Sequence, residues 1–96
     1  MAARSNLTSA QKQKLQKALI KELKDRDIAA KVELEKSGMA GKYRLYVISK
    51  DFEKLLEAER QDIIWQILKA TWPREDQLRL TLTLALTQKE SQGVWG

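Results

Sequence analysis

The stretch "LRLTLTLALT", residues 78–87, constrains this chain more than any other. Leucine recurs at every second position from Leu80 to Leu86, with Thr81, Thr83, Ala85 and Thr87 between. A repeat of two is the repeat of a β-strand with one apolar and one polar face. Leu80, Leu82, Leu84 and Leu86 are therefore expected to point inward, and the threonines and Ala85 outward. A single half-buried strand has no independent stability, so further strands must lie upstream.

Two are visible. "IAAKVELE" alternates Ile28, Ala30, Val32 and Leu34 with Lys31, Glu33 and Glu35, and "YRLYVIS" is rich in β-branched and aromatic residues. The Ser/Gly-containing "KSGMAGK" between them predicts a hairpin. Upstream, Thr8 or Ser9 can cap a helix through "AQKQKLQKALIKELKD", ending near Asp25–Asp27. Leu15, Leu19, Ile20 and Leu23 are expected on its core face. "KDFEKLLEAERQDIIWQILKATW" predicts helix in one or two pieces, with Ile63, Ile64, Ile67 and Leu68 inward and Pro73 at its end.

The expected fold class is α+β: an α-β-β-α(α)-β order, a three-stranded sheet with helices packed on one face. The open face would then display Lys31, Glu33, Arg44, Tyr46, Thr81 and Thr83. A disordered N-terminus over 1–6, one domain over 7–90 and a flexible tail over 91–96 complete the expectation, since "ESQGVWG" carries no pattern.

Composition removes several classes of chemistry. Among 96 residues there is no histidine and no cysteine, which excludes disulfides, thiol nucleophiles, imidazole bases and Cys/His ligation of metals or iron–sulfur clusters. No acidic loop has the spacing of a calcium site. No apolar run reaches the roughly 18 residues of a membrane span, and the N-terminus lacks a signal-peptide core, so a cytoplasmic protein without membrane contact is expected. Glu57, Glu59, Asp62, Glu75 and Asp76 lie near no nucleophile or glycine-rich phosphate loop, so no enzyme and no cofactor are expected.

Three segments resemble the BolA family over roughly residues 10–90. "YVISKDFEKLL" is similar to that family's strand followed by Ser-Asp-x-Phe, with Phe52 in the Phe position. In "ERQDIIWQIL", Arg60, Ile63, Ile64 and Trp65 fall like its Arg-His-Arg-apolar-apolar-aromatic helix. The leucine-rich last strand closes with "LTQKE". The resemblance implies a fold like the class II KH domain, a nucleic-acid-binding architecture. It also implies a monothiol glutaredoxin partner sharing a [2Fe–2S] cluster through a signature histidine and a loop Cys or His. Here the histidine position is Arg79, the helix histidine is Gln61, the glycine after the Phe falls near Lys54, and the hairpin loop is only "EKSGMAGK". No iron–sulfur cluster is therefore expected.

Charge points to partners. Residues 1–31 hold eight Lys/Arg against three Asp/Glu, whereas residues 32–96 hold ten against ten, so the whole excess of five sits in the first third. Lys14, Lys17, Lys21 and Lys24 form a stripe opposite the apolar face of the first helix. Such a stripe is a solvated face or a phosphate-binding one, and the scarcity of nearby acids favours contact with RNA or DNA. Lys31, Arg44, Tyr46 and Arg79 could add contacts from the open sheet face, or be plain surface.

Gly38-Met39-Ala40-Gly41 reads G-x-x-G, the loop with which a KH domain clamps a nucleic-acid backbone. It lies between two strands rather than two helices, so a hairpin turn accounts for both glycines. The position of a KH loop falls in "KLLEAERQD", which has no glycine. Trp65 and Trp72 share a helix side and suit either core packing or a protein-docking surface. The expected function is a small non-catalytic binding or regulatory domain contacting nucleic acid electrostatically. The alternative is a protein–protein adaptor docking through Trp65/Trp72 or a sheet edge.

Overall fold

A computed structural model describes residues 6–95 of the chain. The expected disordered segment 1–6 falls almost wholly outside the described residues. The elements run α1 (Ser9–Asp25), β1 (Lys31–Lys36), β2 (Tyr43–Ile48), a 3₁₀ turn (Lys50–Lys54), α2 (Glu57–Thr71), α3 (Arg74–Gln77), β3 (Leu80–Leu86) and α4 (Gln88–Trp95). The sheet order is β1-β2-β3; β1 pairs antiparallel with β2, and β3 pairs parallel with β2. The class is α+β, as expected, and the sheet is mixed. No described helix is long and apolar enough to cross a membrane.

Local chemistry explains the boundaries. Thr8 caps α1 in a reciprocal box: the Gln11 N–H donates to Thr8 Oγ1 (3.1 Å) and the Thr8 N–H to Gln11 Oε1 (2.8 Å). The helix closes with Asp27 in the left-handed region at φ 62°. Ser49 starts the 3₁₀ turn, accepting from the Asp51 N–H (3.0 Å) while its hydroxyl donates to Ala29 O (2.7 Å). Asp51 Oδ2 accepts from the Ala29 N–H (2.9 Å), so this junction ties β2 to the link between α1 and β1. Thr87 and Glu90 cap α4, a helix standing where the sequence shows only a patternless tail.

α1 and α2 cover one face of the sheet. Leu15, Leu19 and Leu23 from α1 and Ile64, Ile67 and Leu68 from α2 meet Val32, Leu34, Leu45, Val47 and Ala85, with Phe52 buried among them. Ile20 is not part of this face. Its position lies about 100° round the helix from the centre of the Leu15–Leu19–Leu23 row, which leaves it exposed.

The last strand departs most from expectation. β3 enters in register with Leu80 opposite Tyr43, but a bulge leaves Thr81 unmatched and sets Leu82 opposite Arg44. A one-residue offset sends every following side chain to the other face. Leu80 packs on the core, whereas Leu82, Leu84 and Leu86 line up with Arg44, Tyr46 and Ile48 on the face away from α1 and α2. Thr83 and Ala85 turn towards α2: Ala85 is 3% exposed and Leu82 45%. Thr83, expected in solvent, is left with a buried hydroxyl oxygen that finds no partner among the described residues.

Helix side chains reach carbonyls on both sheet edges. The Val32 carbonyl of β1 accepts from Gln16 Nε2 (3.2 Å). On β3, the Thr83 carbonyl accepts from Gln61 Nε2 (2.9 Å) and the Ala85 carbonyl from Arg60 Nη1 (3.2 Å). Each occupied carbonyl is one acceptor fewer in the row that a sheet edge offers to another strand.

Two measurements test this arrangement. Thr83→Val removes a buried hydroxyl without a partner and keeps the shape, so urea unfolding should show a gain of about 1 kcal/mol. A loss would mean that Thr83 faces water. Glu90 carries a carboxyl held below its ordinary value by the Thr87 backbone N–H and then by Arg60. A depressed carboxylate stabilises the fold above its unfolded value of 4.5 and loses that contribution as pH falls through the lower folded value. Glu90→Gln should therefore be less stable than the parent at neutral pH, with the difference shrinking below pH 4.5.

Candidate nucleic-acid interface

α1 sets the first part of the site. With its leucine row against the sheet, the opposite side holds Lys14, Lys17, Lys21 and Lys24, all exposed. None of the four makes an ion pair among the described residues. Lys14 and Lys24 lie ten residues apart, or about 15 Å along the axis, which spans roughly four phosphates at the 3.4 Å rise of one strand. The four ammonium groups form a linear cationic face, with Glu22 and Asp25 the acids of the same helix.

The sheet residues do not join it. α1 lies on one side of the sheet, and Lys31, Arg44 and Tyr46 lie on the other. Lys31 pairs with Glu33 (3.5 Å), and Arg44 with Glu35 (3.1 Å). Arg44 also donates to Ser37 O (3.4 Å). Tyr46 is buried beside Leu84, so its ring is not an open stacking platform. Arg79 is buried as well, its Nε 3.2 Å from Asp76 Oδ1. Where Thr81 and Thr83 were expected, this face carries Leu82, Leu84 and Leu86.

The G-x-x-G segment is a hairpin turn. Gly38 and Gly41 take φ of 96° and 74°, conformations that glycine adopts without strain. The Ser37 N–H donates to Lys42 O (3.1 Å), and the Lys42 N–H to Met39 O (3.0 Å). Asn6 Oδ1 takes the Gly41 N–H (3.1 Å), a donor that a phosphate clamp would need.

The two tryptophans separate. Trp72 is 4% exposed and donates its indole N–H to Leu15 O (3.1 Å), so it joins α2 to α1 inside the core. Trp65 is half-buried and lines a shallow groove of about 650 Å³ with Lys69, Arg74, Gln77, Leu78 and Leu80. This groove escapes sequence reasoning because its walls come from α2, α3 and the start of β3. The available signal was local: Lys69 stands four residues after Trp65, on the same side of the helix.

Among the described residues no group of His, Cys, Asp or Glu could hold a metal ion. No protein-family model matches the chain, and no curated protein does.

The contrast between the tryptophans is measurable. Trp72→Phe leaves the Leu15 carbonyl without its indole donor and should cost about 1–3 kcal/mol in urea unfolding. Trp65→Phe, which loses no hydrogen bond within the described residues, should cost clearly less; equal losses would place both rings in the core.

Proposed function

We propose that the chain is a small non-catalytic binding domain, BolA-like in architecture, that contacts nucleic acid through the lysine face of α1. The observation carrying this reading is the line of four exposed lysines without an acidic partner among the described residues. Each lysine that neutralises a phosphate releases condensed counterions, so affinity comes from charge and carries little sequence preference.

The BolA resemblance is supported by the element order and by the Ser49–Phe52 junction, where Phe52 is fully buried and Ser49 anchors the turn. The cluster chemistry of that family does not fit this chain. Its ligand position is Arg79, a side chain engaged with Asp76, and no histidine or cysteine exists elsewhere. The proposal therefore includes no iron–sulfur cluster. A cytoplasmic location belongs to the same reading.

One observation favours a second reading, a protein adaptor. Leu82, Leu84 and Leu86 form an apolar row on the sheet face away from α1 and α2; Leu82 is substantially exposed and Leu84 and Leu86 are half-buried. The docking surface would then be this face, since Trp72 is in the core.

Salt dependence decides between the two. Anisotropy titrations of labelled single-stranded RNA and duplex DNA should show affinity falling about 50-fold and about 150-fold, respectively, between about 50 and about 200 mM salt, as expected for four phosphate contacts. Replacing Lys14, Lys17, Lys21 and Lys24 by Gln should flatten both slopes. Binding that ignores salt, or that survives the four substitutions, removes the proposal in favour of the adaptor.

A further inference from the structure

We propose that the groove holding Trp65 is a pocket for one unpaired nucleotide of a single strand, with the base on the indole and the phosphates on Lys69 and Arg74. This deepens the nucleic-acid reading and rests on it.

The groove has the parts such a ligand requires. Trp65 packs against the core and also lines the groove, so its ring is held in place by the fold. A fixed indole is a stacking platform for any base, because every base has a π face. Lys69 comes from α2 and Arg74 from α3; both are exposed and neither makes an ion pair among the described residues. No carboxylate lines the groove. Gln77 donates its Nε2 to Trp72 O (2.9 Å), which fixes the amide and leaves its oxygen to accept from an exocyclic amino group. Leu78 and Leu80 add apolar lining.

The groove also connects to the lysine face. α3 stands between two depressions. Pro73 and Asp76 face a cleft of about 270 Å³ that Lys14 also lines, while Arg74, Gln77 and Leu78 face the Trp65 groove. A strand lying along α1 thus passes Lys14 and crosses this single turn to reach Trp65. A duplex gains nothing from the groove, since its bases stay stacked and paired. The discrimination is for single strands over duplexes.

The test uses the full chain, a ten-nucleotide single-stranded RNA and a duplex DNA, at about 50 mM salt where phosphate contacts are strong. Trp65→Ala should weaken single-strand binding about 10-fold, within the range of one lost base–aromatic stack, and leave duplex binding unchanged. Trp65→Phe should restore most of the loss. A Lys69→Gln/Arg74→Gln variant, which leaves the packed ring intact, should also weaken the single strand more than the duplex. Unchanged single-strand binding in both variants, or equal losses on the two ligands, overturns the inference.

Failure of the lysine reading looks different: the wild type would bind neither ligand. The groove is then judged alone, by titrating adenosine monophosphate against the indole N–H resonance of Trp65, assigned from Trp65→Phe. A saturable shift of that resonance supports the pocket, and no shift overturns it.

Discussion

A buried guanidinium holds the second half of this fold together. Arg60 Nε donates to Leu55 O (3.1 Å), and its Nη1 reaches Ala85 O (3.2 Å) and Glu90 Oε1 (2.9 Å). Its charge also lies 5.8 Å from the centre of the Phe52 ring. The side chain thereby joins the turn before α2, the outer edge of β3 and the cap of α4. An arginine this buried is tolerable only with its donors satisfied and a counter-charge present. Glu90 provides that charge from a half-exposed position. β3 runs parallel to β2 and can do so only after a crossover through α2, which leaves it at the edge of the sheet. Arg60 and Gln61 are the crossover's own means of closing that edge.

The two faces of the domain differ in chemistry. The helical layer presents α1 with lysines that make no ion pair among the described residues, then α3 and the groove around Trp65. The open sheet face pairs Lys31 with Glu33 and Arg44 with Glu35, and carries leucines along β3. Among the described residues, the four lysines outside ion pairs on α1 thus lie on the helical side. A polyanion and an apolar partner would meet opposite sides of the same domain, and neither site would obstruct the other.

Much of the fold was legible in the sequence. The leucine row of α1, the hairpin between β1 and β2, the Thr8 cap and the stop at Pro73 all rest on contacts within a few residues, where local patterns carry the physics. The lysine face was legible for the same reason: once Leu15, Leu19 and Leu23 are buried, the opposite side of a helix is determined. Trp72 and Trp65 were not separable, because a seven-residue spacing puts them on one helix side while their burial depends on α1 and on β3. Arg79 looked like a surface cation and is buried, since its partner Asp76 is placed by the α3 turn.

By itself, the sequence determined α1, α2 and the three strands, the antiparallel hairpin and the charge polarity of α1, all consequences of periodicity and turn chemistry; α4 was not among them. Only the tertiary structure decided which face of β3 is covered. The alternation in "LRLTLTLALT" states that two faces differ and is silent on which one meets the helices. The bulge at Thr81 settles that through the pairing register with β2, a long-range contact. The same register buries Ala85 and the Thr83 hydroxyl and aligns the leucines on the opposite face, while Leu80 lies beside Trp65. The groove exists only because three distant segments converge there, which no local pattern encodes.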